Sequence, residues 1–342
     1  MIFVQERVQS TDAIVETLLP ALRTFPTNEI AIVGCHSTGL ARKSCEYNLL
    51  VISRDPIPQK SVRVGEYYAE LMFRNDREVR QPSPELGVAL ASAVVLRDNL
   101  LLLASSISEC RRNYAASCAS LMEGRLASSL KAVGRVDELL AAGETREADF
   151  WLLSAACDYA QAELLNSEIV PAPSHILSQI KSIPKERNVN FKSWADASGL
   201  ELASRASCEN RIEALSIIYD VLRTSPASVD VLPQLGRYKD ADAFRLLQLK
   251  AEELIGSMQS VECFSYLGTE TVRSVLDLYA LHAANLSKEK DYASTIRDLT
   301  TGRDRLISEE VLKSLGLVRS IEMLKTGTEQ LKVSVAALAK KI

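Results

Sequence analysis

Glu46 and Asn48 flank Tyr47 at the head of the run Glu46-Tyr47-Asn48-Leu49-Leu50-Val51-Ile52, whose aliphatic end reads as a strand. Alternate residues of a strand point to one face, so the two side chains project together while Tyr47, Leu49 and Val51 face a core. Paired carboxylates in that position bridge divalent cations and align a phosphate chain with an attacking hydroxyl. Asn48 still offers an amide oxygen to a cation such as magnesium, which takes oxygen ligands in near-octahedral geometry, but it offers no charge. Upstream lies the polar loop Gly34-Cys35-His36-Ser37-Thr38-Gly39, entered from the β-branched run 30–33. Its glycines permit positive φ and close backbone approach. Its successive N–H groups and the hydroxyls of Ser37 and Thr38 suit a phosphate-sized concavity.

In this order and spacing, residues 29–52 resemble the nucleotidyltransferase superfamily related to DNA polymerase beta and the aminoglycoside nucleotidyltransferases. The signature of that family is Gly-Ser, a short Gly-containing loop, then Asp-x-Asp-Leu on the next strand. Good family members read Gly-x-Ala-Arg-x-x-Ser-Asp-x-Asp-Leu-Leu-Val after the second glycine. Here Gly39-Leu40-Ala41-Arg42-Lys43-Ser44-Cys45-Glu46-Tyr47-Asn48-Leu49-Leu50-Val51 has the same length. Four positions depart: Cys35 and Cys45 stand at two serines, Glu46 at the first aspartate and Asn48 at the second.

The resemblance implies a catalytic and metal-binding set of Glu46, Asn48 and a third acid from a neighbouring strand, arranged around magnesium. It implies that Gly34, Cys35, His36, Ser37, Thr38, Gly39 and Arg42 hold a nucleoside triphosphate. The implied reaction is transfer of a nucleoside monophosphate from that triphosphate to a hydroxyl acceptor, whose identity the sequence does not specify. The departures weigh against full activity, because Asn48 lacks charge and Glu46 is longer by a methylene where catalytic groups must be held to about 0.5 Å. The alternative is a pseudoenzyme that keeps the fold to bind nucleotide or a protein partner.

The third acid is sought in 61–73. Read as one strand, Val62, Val64, Glu66, Tyr68, Glu70 and Met72 share a face, opposite Arg63, Gly65, Tyr67, Ala69, Leu71 and Phe73. Glu70, within Tyr-Ala-Glu-Leu-Met-Phe, is the better placed, with Glu66 second. A solvent-facing Glu on a half-exposed strand is the plain alternative.

The expected fold class is α+β: a small mixed-sheet domain at 1–82, then an all-helical domain at 83–342, divisible near 184–208. Ser10-Thr11-Asp12 caps an amphipathic helix ending near Phe25-Pro26; strands follow at about 30–34, 46–52 and 61–73. Ser83-Pro84-Glu85 opens a helix, and no convincing strand appears beyond it. Later helices are expected at about 208–224, 238–258, 269–287 and 303–326, with a last one from Glu329. The stripe Ile307, Val311, Leu315, Val318, Ile321 and Leu324 reads as core, with a homodimer contact as the second reading.

Composition narrows the classes. A net charge of −4 and a pI near 5.7 lack the footprint of a nucleic-acid-binding domain, for which a pI above about 9 is the cue. Seven cysteines without Cys-x-x-Cys spacing indicate reduced thiols rather than a disulfide framework or zinc site. The first residues lack a signal-peptide pattern, so a cytoplasmic location is expected. The apolar region 86–104 is broken by Arg97-Asp98-Asn99, leaving less than the roughly 20 residues that span a bilayer. Of the three histidines, His36 would lie close to a bound phosphate if the resemblance holds, while His175 reads as a capping or packing residue and His282 as core or surface filler. There is no Gly-x-Ser-x-Gly elbow, Walker loop or Gly-x-Gly-x-x-Gly. Arg273 and His282 are too far apart for the Arg–His pair of a helical ribonuclease.

Overall fold

The structure is a computed structural model that describes residues 29–54, 60–64, 67–184, 190–226, 232, 235–240, 242–286, 294–301 and 305–341. The helix expected before Phe25 lies outside the described residues. The chain forms two compact units, Met1–Cys118 and Ala119–Ile342: a mixed sheet with helices first, then a helical assembly.

In the first unit, β1 (Glu29–Val33), β2 (Tyr47–Ile52), β3 (Lys60–Val64), β4 (Tyr67–Arg74) and β5 (Val94–Asp98) form one sheet in the order β3-β4-β2-β1-β5. β2 and β4 run parallel, and the other pairs are antiparallel. β1 and β2 lie inside the sheet and are covered on both faces, which explains why Ile30–Val33 and Leu49–Ile52 are apolar without alternation. On one face Ala31, Val33, Leu50 and Ile52 pack with Val79, Leu90, Leu103 and Ile107. These come from α2 (Asp76–Arg80), α3 (Pro84–Ala91) and α4 (Leu102–Arg112). On the other face Ile30, Ile32, Leu49 and Val51 join Ala69 and Leu71. Each fully buried aliphatic side chain contributes roughly 1.5–3 kcal/mol.

The start signals are local. Asn75 and Glu78 form a reciprocal capping box on α2, and Ser83 with Pro84 opens α3.

The strands differ from expectation in two places. The segment 61–73 is a hairpin, so Ser61 and Arg63 join the face of Tyr68 and Glu70, while Val62 turns to the other. Residues 65–66, including Glu66, lie outside the described residues. β5 is a strand where none was expected. Its Arg97-Asp98, which in the sequence interrupts an apolar segment, ends the strand, and the Asp98 carboxylate accepts the Ala104 N–H at 2.7 Å near the start of α4. The boundary expected after residue 82 therefore falls inside the first unit.

The long helix α5 (Tyr114–Ala141) leads into the second unit. There follow α6 (Thr145–Asn166), α7 (Ile176–Ser182), α8 (Phe191–Ala197), α9 (Arg205–Thr224), α10 (Gly236–Lys239), α11 (Ala243–Gly256), α12 (Ser260–Asn285), α13 (Thr295–Thr300), α14 (Glu309–Ser314) and α15 (Ile321–Ala339). α12 packs against α6, α9, α11 and α13. The helix expected at 303–326 is interrupted at Gly316, whose φ of +81° is left-handed and where a Cβ would meet the buried Arg211 guanidinium. α15 starts at its Ser320 cap, so no separate helix begins at Glu329. Of the expected stripe, Ile307, Val311, Leu315 and Leu324 are buried and Val318 and Ile321 are exposed. Among the described residues no helix is long and apolar enough to cross a membrane.

Candidate functional site

The segment between β1 and β2 is a single helical turn, α1 (Cys35–Thr38), bracketed by Gly34 at φ +76° and Gly39 at φ +73°. Both glycines adopt backbone conformations that side chains disfavour. The turn is closed on itself. The Ser37 hydroxyl donates to the Gly34 carbonyl at 2.9 Å, and the Thr38 hydroxyl reaches the same oxygen at 3.2 Å. The hydroxyls expected to face a phosphate are therefore engaged with the backbone in this state.

His36 is also engaged. Its ring stacks on Tyr47 with centroids 3.7 Å apart, and its Nε2 lies 3.1 Å from the Cys45 carbonyl. Cys35 and Cys45 are buried, with their sulfur atoms within 4.8 Å of each other. The Arg42 N–H donates to the Cys45 sulfur at 3.3 Å. These sulfurs are soft donors that suit zinc or copper(I); magnesium prefers carboxylate, carbonyl and water oxygens. Tyr47 is buried opposite Asn48, and its phenol pKa is pushed up to about 12, first by burial and then by the neighbouring Tyr67 and Cys35.

Register brings together Asn48 and Glu70. They are paired neighbours across the parallel β2–β4 ladder, so their side chains share a face. Ser61 pairs with Glu70 from β3, which makes the row Asn48-Glu70-Ser61. On its other side Asn48 pairs with Val33, at the end of β1 just before Gly34. A Cβ on Gly34 would lie 3.0 Å from the Asn48 side-chain nitrogen, so the glycine admits the amide. Both Asn48 and Glu70 are half-buried.

Glu46 directly precedes the first ladder residue, Tyr47, and is half-buried with its Oε2 atom enclosed. Arg42 is half-buried, while Lys43 is exposed.

Ser61 was not among the expected site residues, and neither was the Arg63–Tyr68 pair on the same face, where the guanidinium lies 5.6 Å from the ring centroid. The available signal was the dipeptide Gly65-Glu66 between two β-rich runs, a two-residue hairpin pattern. A hairpin centred there pairs Ser61 with Glu70.

No family model matches the sequence, and no curated protein matches it. Among solved structures, the chain is similar to a nucleotidyltransferase-like protein from Exiguobacterium sibiricum 255-15, at 12% identity and a TM-score of 0.33, over 82% of this chain and 81% of that one.

Proposed function

We propose that the first unit is a nucleotidyltransferase-type domain that binds a nucleoside triphosphate and has lost most or all of its transfer chemistry. The observation that carries this reading is the neutral Asn48 standing beside Glu70 and over Gly34, where the resemblance calls for a second acid.

The donors fit magnesium in part. Glu46, Glu70 and the Asn48 amide supply oxygens of the kind it accepts, with one carboxylate fewer than the family set. These residues would hold the ion, which when bound would neutralise phosphate charge and polarise a phosphoryl oxygen. The backbone of α1 and Arg42 take the triphosphate. His36, tied to Tyr47 and the Cys45 carbonyl, steadies the turn.

The substitutions favour binding over catalysis, because Asn48 carries no charge and Glu46 is longer by a methylene than the aspartate the resemblance calls for. Each 1.36 kcal/mol of lost transition-state stabilisation costs tenfold in rate, so a missing charge and a displaced carboxylate together remove much of the activity.

The test is a thermal-shift titration with ATP, GTP, CTP and UTP in magnesium or manganese, run beside a transfer assay with labelled triphosphates. Stabilisation without turnover supports the reading. Turnover abolished by Glu46→Gln would replace it with that of a weak transferase. No response to any triphosphate would leave the unit as a structural scaffold.

A further inference from the structure

The first unit contains an open cleft of about 130 Å³ lined by α2, α3, α4 and the first turn of α5. One wall is a helical stripe, because Ser106, Glu109, Asn113 and Ser117 recur at spacings of three and four. Arg80, at the end of α2, also lines it. These polar groups differ from their neighbours in being uncommitted. Asn75, Glu78, Ser83 and Ser105 are engaged in caps or backbone bonds, and Arg111 donates to the Ala91 carbonyl. Among the described residues the side chains of Arg80, Ser106, Glu109, Asn113 and Ser117 make no hydrogen bond or ion pair. Ser106 is only 5% exposed and lines the cavity.

The space is kept open by a missing side chain. Gly87 lies within α3, where alanine would favour the helix by about 1 kcal/mol. A Cβ there would meet only Ser117 Oγ at 3.5 Å and Pro82 Cγ at 3.9 Å, both of them lining residues. The glycine thus gives up helix stability at a position facing the cavity.

Charge selects the ligand. A simple anion would meet Glu109 and a simple cation would meet Arg80, so a molecule carrying both signs matches the lining best. The volume of about 130 Å³ suits a ligand of about six to eight non-hydrogen atoms.

We propose that this cavity binds a small zwitterion of the α-amino-acid class, its carboxylate toward Arg80 and its ammonium toward Glu109, with Ser106, Asn113 and Ser117 completing the polar contacts. The proposal is independent of the nucleotide reading and concerns a different set of residues.

The test is calorimetric and thermal-shift titration of the full chain with L-alanine, L-serine, L-threonine and L-valine, beside N-acetyl-L-alanine and L-alaninamide, which each lack one charge. Saturable binding of at least one free amino acid is expected, weakened roughly tenfold or more in the blocked forms, as befits loss of a charge-assisted contact. Arg80→Gln and Glu109→Gln, both at exposed positions, should each weaken binding similarly without altering the fold. Gly87→Leu should fill the cavity and abolish binding while the far-ultraviolet spectrum is unchanged. Absence of saturable binding by all four amino acids at millimolar concentrations would overturn the proposal. So would equal binding of the blocked forms, or binding indifferent to both charge substitutions.

Discussion

Asn48 and Glu70 are direct cross-strand neighbours in the parallel β2–β4 ladder, both half-buried. An amide beside a carboxylate is a compatible pair, whereas two carboxylates there would repel. Asn48→Asp should therefore destabilise the first unit by about 0.2–1 kcal/mol in EDTA, the usual range for cross-strand pairs. Millimolar magnesium should restore the loss by neutralising the pair. Melting the variant and the parent in EDTA and in magnesium checks this, and an identical deficit in both conditions would count against a cation site at this row.

Gly34 joins β1 to the helical turn and sits against Asn48. Its φ of +76° and the 3.0 Å that would separate an added Cβ from Asn48 Nδ2 act together. Gly34→Ala should cost about 1–3 kcal/mol for a side chain at φ +76° and ψ −147°, a backbone region essentially confined to glycine, and should also displace the Asn48 amide. The expected result is a lower urea midpoint together with a smaller triphosphate-induced thermal shift. A variant that loses stability but keeps the full nucleotide response would separate the turn from the binding site.

The second unit depends on a buried ion pair. Arg319 Nη2 lies 2.8 Å from Asp149 Oδ1, with both side chains 2% exposed, and Arg319 also donates to the Ala197 carbonyl at 2.7 Å. Removing one partner leaves the other charge buried, so Asp149→Ala should cost about 3–5 kcal/mol. Replacing both, as in Asp149→Leu with Arg319→Met, should recover much of that loss. Urea unfolding of the single and double variants measures it. A double variant no more stable than the single one would show that the arginine's bonds to the Asp196 and Ala197 carbonyls matter more than the pair.

The central strands were readable because burial on both faces leaves an uninterrupted apolar run, as in Leu49 to Ile52. β5 was hidden because Val94 and Val95 are exposed and Arg97-Asp98 resembles a loop when read locally. The pairing of Asn48 with Glu70 depends on the β3–β4 hairpin returning the chain beside β2, a long-range path that neither segment encodes alone. The closed turn at Ser37 and Thr38 was missed for a related reason: a hydroxyl's direction follows from backbone geometry, which Gly34 and Gly39 permit without determining. The break at Gly316 likewise sits against Arg211, distant in sequence, whose Nε donates to the Leu315 carbonyl.

Glu147 makes the second unit sensitive to pH. It is buried, with Oε2 accepting the N–H groups of Ile296 at 2.7 Å and Arg297 at 3.1 Å, and Oε1 accepting from the Trp151 indole. Burial outweighs these bonds and pushes its pKa from 4.5 to about 7. Between those values the unfolded chain has released the proton that the folded chain retains. Stability contributed by the protonated group is thus complete below about pH 4.5 and is lost as pH rises to about 7. The urea midpoint of the second unit should fall across that window. Glu147→Gln, which keeps a carbonyl oxygen for the backbone donors but cannot ionise, should flatten the fall. Parallel pH profiles for the parent and the variant would mean that another group sets the slope.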